Sequence, residues 1–200
     1  MVRQASTNRK TNETTINISL KIDGVGSCKI NTSIGFLDHM LEQLAFHGCF
    51  DLEVTATGDT TIDSHHLIED VGIVMGDVIK ACLQSKKGIT RAASCFMPMD
   101  DALVFVCMDL SGRAYYTNQV EWADPYIPSS SILIPVSQIE HFFRSMATQA
   151  GITLFIKKEA GKDNHHIAEA MFKAFGKALD QATRFDPKRI EKIPSTKGIL

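Results

Sequence analysis

The chain is 200 residues long, 44% of them hydrophobic, with a formal net charge of −2, enough apolar material for one substantial core or two small lobes sharing one. No basic stripe is present and the longest apolar run, Ala102 to Met108, is far short of a bilayer's width, which argues against nucleic-acid and membrane partners. Five cysteines, Cys28, Cys49, Cys82, Cys95 and Cys107, form no Cys-x-x-Cys pair; set among mostly apolar neighbours, they read as buried thiols of a reducing, cytoplasmic compartment.

Met1 to Thr15 is polar and has no hydrophobic targeting segment. Thr15 to Ile22 alternates as a half-buried strand and ends at a turn, Asp23-Gly24, after which Cys28 to Ile34 reads as its hairpin partner. A helix over Asp38 to Phe46 is closed by His47-Gly48, and His47 has the position of a helix-end cation. Phe50 to Thr57 is a strand, and a long helix runs from about Ser64 to Gln84, ending near Lys86-Lys87-Gly88. An extra strand is expected over Ile89 to Met97. Strands over Ala102 to Leu110 and Ala114 to Glu121 flank a Ser111-Gly112 turn. Asp124 to Pro135, with three prolines and three serines, is expected to be a surface loop. A helix over Val136 to Gln149, a strand over Ile152 to Lys158 and a helix over Asn164 to Thr183 complete the pattern.

The order strand, strand, helix, strand, helix thus occurs twice, over about residues 1–88 and 89–185, before a tail at 186–200. The fold class is α/β (α+β): two duplicated lobes whose helices pack together in a shared layer, with sheets outside.

One signature recurs a hundred residues apart, Asp63-Ser64-His65-His66-Leu67-Ile68-Glu69 and Asp163-Asn164-His165-His166-Ile167-Ala168-Glu169. On a helix the glutamate shares a face with imidazoles one turn back, a face able to hold a metal ion. Neighbouring helical residues diverge by about 100°, so the two adjacent histidines suit two ions better than one. His39 and His141 lie in matching shorter helices, each ahead of its signature by a similar distance. The inventory becomes six histidines and two glutamates, enough for two ions with three imidazoles and one carboxylate each. No thiolate belongs to the set, so a six-coordinate ion such as Mn²⁺ fits as well as a closed zinc site.

Several motifs carry a resemblance: Asn12-Glu13-Thr14, Gly35-Phe36-Leu37-Asp38-His39-Met40-Leu41, His65-His66-Leu67-Ile68-Glu69-Asp70, Asp109-Leu110-Ser111-Gly112-Arg113, Glu140-His141-Phe142-Phe143, His165-His166-Ile167-Ala168-Glu169-Ala170, Phe172-Lys173-Ala174-Phe175 and Pro194-Ser195-Thr196-Lys197-Gly198. In these the chain resembles, over almost its whole length, the imidazoleglycerol-phosphate dehydratases. The resemblance implies one dehydratase domain over 1–200, with a four-helix layer between two four-stranded mixed sheets and a C-terminal tail that binds substrate. It implies a hydro-lyase of histidine biosynthesis that converts D-erythro-imidazoleglycerol phosphate to imidazole-acetol phosphate through a Mn-bound imidazolate and a diazafulvene intermediate. It further implies two Mn²⁺ ions per active site and a homo-oligomer of 24 subunits with sites at subunit boundaries.

Carried over residue by residue, the metal ligands are His39, His65, His66, Glu69, His141, His165, His166 and Glu169. Their division between the ions stays open, because ligands can come from different subunits. Glu13 is the implied acid/base group. Arg91, Arg113, Lys173, Ser195, Thr196 and Lys197 are the implied phosphate contacts, with Gln43 a weaker substrate contact. The chain departs from the family pattern at Asp63-Ser64, at Met99-Asp100-Asp101, where glutamate is usual at the last position, before Glu13, where many relatives have lysine, and in the longer 124–135 segment. Rival readings are a dimetal hydrolase, which would lean on aspartate bridges, and a metal-storage bundle, which would need four long carboxylate-rich helices.

Overall fold

A computed structural model describes residues 2–129 and 133–200 of the chain. Strand β2 (Thr14–Lys21) forms the centre of a first sheet because every second residue, Thr14, Ile16, Ile18 and Leu20, is apolar or small and buried. It pairs antiparallel with β1 (Gln4–Lys10) on one side and β4 (Asp51–Gly58) on the other, and β3 (Cys28–Asn31) joins the far edge of β4 in parallel. The hairpin partner of β2 is therefore β1, inside the polar leading stretch, and not the Cys28 segment. The inward residues of β1 are Ala5, Thr7 and Arg9, which give no apolar alternation to read. Helix α1 (Gly35–Gly48) carries the chain from β3 across to β4, a crossover that makes those two strands parallel.

The second sheet repeats this arrangement. Its order is β5 (Ala92–Met99), β6 (Ala102–Asp109), β10 (Thr153–Ala160), β7 (Tyr115–Gln119), against β1-β2-β4-β3 in the first, and β7 is again parallel to its neighbour β10. Each four-stranded sheet thus has one strand more than the three in the repeat expected from periodicity, β5 being the extra strand expected near Ile89. The 124–135 segment is not simply a surface loop. Its short strands β8 (Tyr126–Ile127) and β9 (Ile134–Pro135) pair antiparallel and bury Ile127 and Ile134 completely, while residues 130–132 lie outside the described part. Two-residue strands are too short to leave a period in the sequence.

Helices α2 (His65–Leu83) and α4 (Asn164–Thr183) lie on the first and second sheets respectively, and α3 (Val136–Ala150) completes a layer in which α2 packs on α3 and α1 on α4. The fold is therefore α+β, four helices between two four-stranded mixed sheets. Close approach at both helix pairs depends on matching glycines. A Cβ on Gly76 would lie 2.5 Å from the Met146 carbonyl oxygen, and one on Gly176 would strike the carbonyl of Leu44. Phe142, Phe143, Phe172 and Phe175 are fully buried and in edge or tilted contact, filling the layer on the second lobe's side.

Of the cysteines only Cys82 is buried; Cys28 and Cys49 are exposed. Cys49 sits in the left-handed cap position at the end of α1 (φ 57°), where Gly151 closes α3 (φ 66°). His47 lies in the last turn of α1, with its imidazole pKa lowered by burial and then by Lys173 and Lys177. The tail follows the base of the second sheet: the Gly88 amide donates to the Lys192 carbonyl at 2.8 Å. Among the described residues no helix is long and apolar enough to cross a membrane.

Candidate metal centre

Each signature opens a helix, and the preceding aspartate organises the turn. Asp163 Oδ1 accepts from the His165 amide at 2.7 Å and the His166 amide at 3.3 Å, and Asp63 Oδ1 accepts from the His65 amide at 2.7 Å. One helical turn on, the glutamate returns to the first histidine: His65 Nε2 is 3.2 Å from Glu69 Oε2, and His165 Nε2 is 3.4 Å from Glu169 Oε2.

The partner helix then adds a second imidazole. His141, on α3, brings Nδ1 to 3.2 Å from His65 Nε2, and His39, on α1, brings Nε2 to 3.4 Å from Glu169 Oε2. Two clusters result, His65–Glu69–His141 and His39–His165–Glu169, in each of which the ligand atoms lie within 4.8 Å of one another. Both draw on both lobes, because α2 packs on α3 and α1 on α4. Two imidazoles and one carboxylate, without a thiol, suit a divalent ion such as Mn²⁺ or Zn²⁺ and leave further positions to fill.

His66 and His166 join neither cluster. The turn between helical neighbours sends their side chains in other directions than those of His65 and His165, and the ring centroids stand 6.1 and 6.3 Å apart. They point outward, toward the hairpin turn of their own lobe. His166 Nδ1 is 2.8 Å from Asp101 Oδ1, in the β5–β6 turn, while Asp100 Oδ2 is 3.4 Å from its Nε2. In the matching β1–β2 turn Glu13 Oε2 stands 3.7 Å from His66 Nδ1, which is buried and has no hydrogen-bond partner among the described residues.

Both turns are held firmly. Thr11 Oγ1 accepts from the amides of Glu13 and Thr14 at 3.1 and 2.9 Å, and Asp70, next to Glu69, accepts from Thr14 Oγ1 at 2.5 Å and Arg9 Nε at 3.1 Å. Glu13 is thereby fixed over the start of α2 with its side chain still 55% exposed. Asp101 Oδ2 accepts from the amides of Lys162 and Asp163 at 2.7 and 3.3 Å. The Lys162 amide first, then His166 and the Asp163 amide, hold the Asp101 carboxyl down to about 2. In the sequence Asp101 stands out merely as a departure from the family pattern; its place just before β6, equivalent to that of Glu13 just before β2, is the signal that singles it out.

The surroundings of the two glutamates differ. Burial alone would raise the Glu169 carboxyl, but the Lys173 ammonium at 2.6 Å, with His39, carries it below its ordinary value. Glu69 has Ile73 at the equivalent helical position; besides His65 it meets Ser145 Oγ at 3.5 Å, and its side chain is 41% exposed against 8% for Glu169.

The expected phosphate contacts separate into two groups. Lys173 belongs to the Glu169 cluster, and Gln43 lies half-buried one turn after His39. Arg91, Ser195 and Thr196 line a pocket of about 350 Å³ with Arg189 and Lys192, a cationic and hydroxyl-bearing lining that suits phosphate. Arg91 grips Asp109 with two hydrogen bonds, at 2.7 and 2.9 Å, and donates to the Pro194 carbonyl at 2.7 Å, which ties the tail to the sheet. The Lys197 amide donates to Ser195 Oγ at 3.2 Å, and Arg113 is exposed at the same end of the sheet. Arg91 precedes β5 and Asp100 follows it, so this pocket and the His166 turn are roughly 25–30 Å apart along one extended strand. A second cleft, of about 600 Å³, lies beside His165 and His166 under Tyr126 and Leu133.

The sequence profile of the imidazoleglycerol-phosphate dehydratase family matches residues 32–179. The chain belongs to that family. Imidazoleglycerol-phosphate dehydratase of Acetivibrio thermocellus is 52% identical over 200 residues, covering all of both chains. The relative of the same name from Alkaliphilus metalliredigens is 48% identical, again with full coverage of both. Among solved structures, the dehydratase of Staphylococcus aureus superposes with a TM-score of 0.80 at 33% identity, covering 92% of this chain and 99% of that one. That of Pyrococcus furiosus gives 0.81 at 36% identity, covering 97% and 100%. Membership of this imidazoleglycerol-phosphate dehydratase family makes the chain a hydro-lyase of histidine biosynthesis.

Proposed function

We propose that the chain removes water from D-erythro-imidazoleglycerol phosphate to give imidazole-acetol phosphate, using two Mn²⁺ ions per active site in a cytoplasmic homo-oligomer of 24 subunits. The observation that carries this reading is the pair of exchanged clusters, each two imidazoles and a carboxylate, with one further histidine per lobe facing outward. An outward histidine from a second copy would bring each cluster to three imidazoles and one carboxylate. The distance along β5 between the tail pocket and the His166 turn favours the same arrangement, since one subunit's phosphate cradle would then serve another's metal cluster.

Held by His65, Glu69 and His141 and by His39, His165 and Glu169, Mn²⁺ would supply the positive charge that favours the imidazolate form of the substrate ring and so would ease departure of its hydroxyl. The residues of the chain do the rest. Glu13, fixed by Thr11 and exposed at its tip, gives a proton to the departing oxygen and takes one from the neighbouring carbon. Arg91, Ser195, Thr196 and Lys197 hold the phosphate at the far end, with Arg113 beside them and Gln43 near the ring. Lys173 holds the Glu169 carboxylate in its charged, ligating form.

Metal content and turnover of imidazoleglycerol phosphate should be measured together, before and after chelation and after return of Mn²⁺. The expected result is about two ions per subunit, complete loss of dehydration on chelation, recovery with Mn²⁺, and no release of free phosphate. Unchanged turnover in metal-free protein would overturn the reading.

A further inference from the structure

We infer that Asp101 is a positioning residue for His166, and that it makes the two metal sites unequal: the site that receives His166 binds its ion more tightly than the site that receives His66. The inference rests on the proposed metal reading and adds to it a residue outside the ligand set.

The geometry is that of a carboxylate backing a metal-binding imidazole. A carboxylate only accepts hydrogen bonds, so the 2.8 Å contact from Asp101 Oδ1 places the proton on His166 Nδ1 and leaves the Nε2 lone pair for an ion. Asp101 is itself immobilised by the amides of Lys162 and Asp163 at its other oxygen, so it fixes the ring's direction as well as its tautomer. Those two amides belong to the run that leads into α4, which ties the β5–β6 turn to the start of the helix bearing His166.

The first lobe has no such device. His66 occupies the equivalent helix position, yet among the described residues its buried Nδ1 has no hydrogen-bond partner, and Glu13 stands 3.7 Å away. Glu13 cannot orient His66 at that distance. The same hairpin turn therefore provides a clamp in one lobe and a free carboxylate in the other. Asp100, which faces His166 Nε2 at 3.4 Å and is 67% exposed, shares the turn without being held in this way.

The test is a Mn²⁺ titration of the assembled protein, following the electron-paramagnetic-resonance signal of the free ion, for wild type, Asp101→Ala, Asp101→Glu and Asp100→Asn. Thermal unfolding of the metal-free proteins is measured alongside. Wild type should bind two ions per subunit in two separable steps. Asp101→Ala should weaken the tighter step by about 10–100-fold and leave the weaker one unchanged. Asp101→Glu should recover most of that loss, and Asp100→Asn, which removes an equal charge from the same turn, should change neither step by more than about twofold. Without metal, Asp101→Ala should melt about 2–4 °C lower, having lost the acceptor of the Lys162 and Asp163 amides, whereas Asp101→Glu and Asp100→Asn should melt close to wild type.

Unaltered Mn²⁺ binding in Asp101→Ala would overturn the inference while leaving the metal reading standing. Equal weakening of both steps, or an equal effect from Asp100→Asn, would also overturn it, because simple charge attraction or loss of local structure would then be responsible. Absence of Mn²⁺ binding by wild type would overturn both this inference and the reading on which it rests.

Discussion

The two lobes place histidine and glutamate at the same helix positions and surround them differently. In the Glu169 cluster the carboxylate is buried and faces Lys173; in the Glu69 cluster it is half-buried and faces a serine hydroxyl. His166 is backed by a fixed aspartate, whereas His66 is not. Packing diverges in the same way, since Phe172 stands in α4 at the position that Gly72 occupies in α2, where a Cβ would lie 2.6 Å from the Phe142 carbonyl. Duplication has thus repeated the directions in which ligands point, which the backbone sets. The charge and polarity around them depend on single side chains and have drifted apart. Two ions held by these clusters would not be chemically equal.

The sharpest way to break this comparison is to remove one ligand from each lobe. His39→Ala and His141→Ala should each reduce bound metal from two ions to one per subunit and lower turnover by at least about 100-fold, as read by metal analysis and steady-state assay. If either variant lost both ions, the clusters would not be independent. Glu13→Gln should lower turnover by about 10²–10⁴-fold with metal content and substrate affinity unchanged; near-normal turnover would remove Glu13 from the chemistry. Gly76→Ala and Gly176→Ala test the helix pairs that bring the lobes together. Each should cost about 1–3 kcal/mol by overpacking, and similar losses in denaturant melts would show that the two contacts are equivalent. The smallest effect concerns the helix ends. Cys49 holds the left-handed conformation that Gly151 holds in the other lobe, so Cys49→Gly should stabilise the protein by about 1 kcal/mol, seen as a small rise in melting temperature.

Much of this is legible in the sequence. The helices carry an apolar period over many residues, and α4 spans the expected Asn164 to Thr183. The divergence of His65 from His66 follows from helical rotation alone. Strand β1 escaped notice because Ala5, Thr7 and Arg9 face inward without an apolar rhythm, and β8 and β9 because two residues make no pattern. The grouping of His141 with His65, and of His39 with His165, depends on which helix packs on which, a tertiary fact that local sequence does not encode. Arg91 was expected as a phosphate contact, but its hold on Asp109 and the Pro194 carbonyl became visible only when residues distant in sequence were brought together.

Because each cluster takes one imidazole from one lobe and its remaining two groups from the other, a chain of half this length would own neither. Such a half could assemble the same grouping only by meeting a twin. Joining the halves in one polypeptide turns that encounter into an intramolecular one, at an effective concentration of about millimolar or above. Dilution of the protein then cannot separate the two contributors to a cluster.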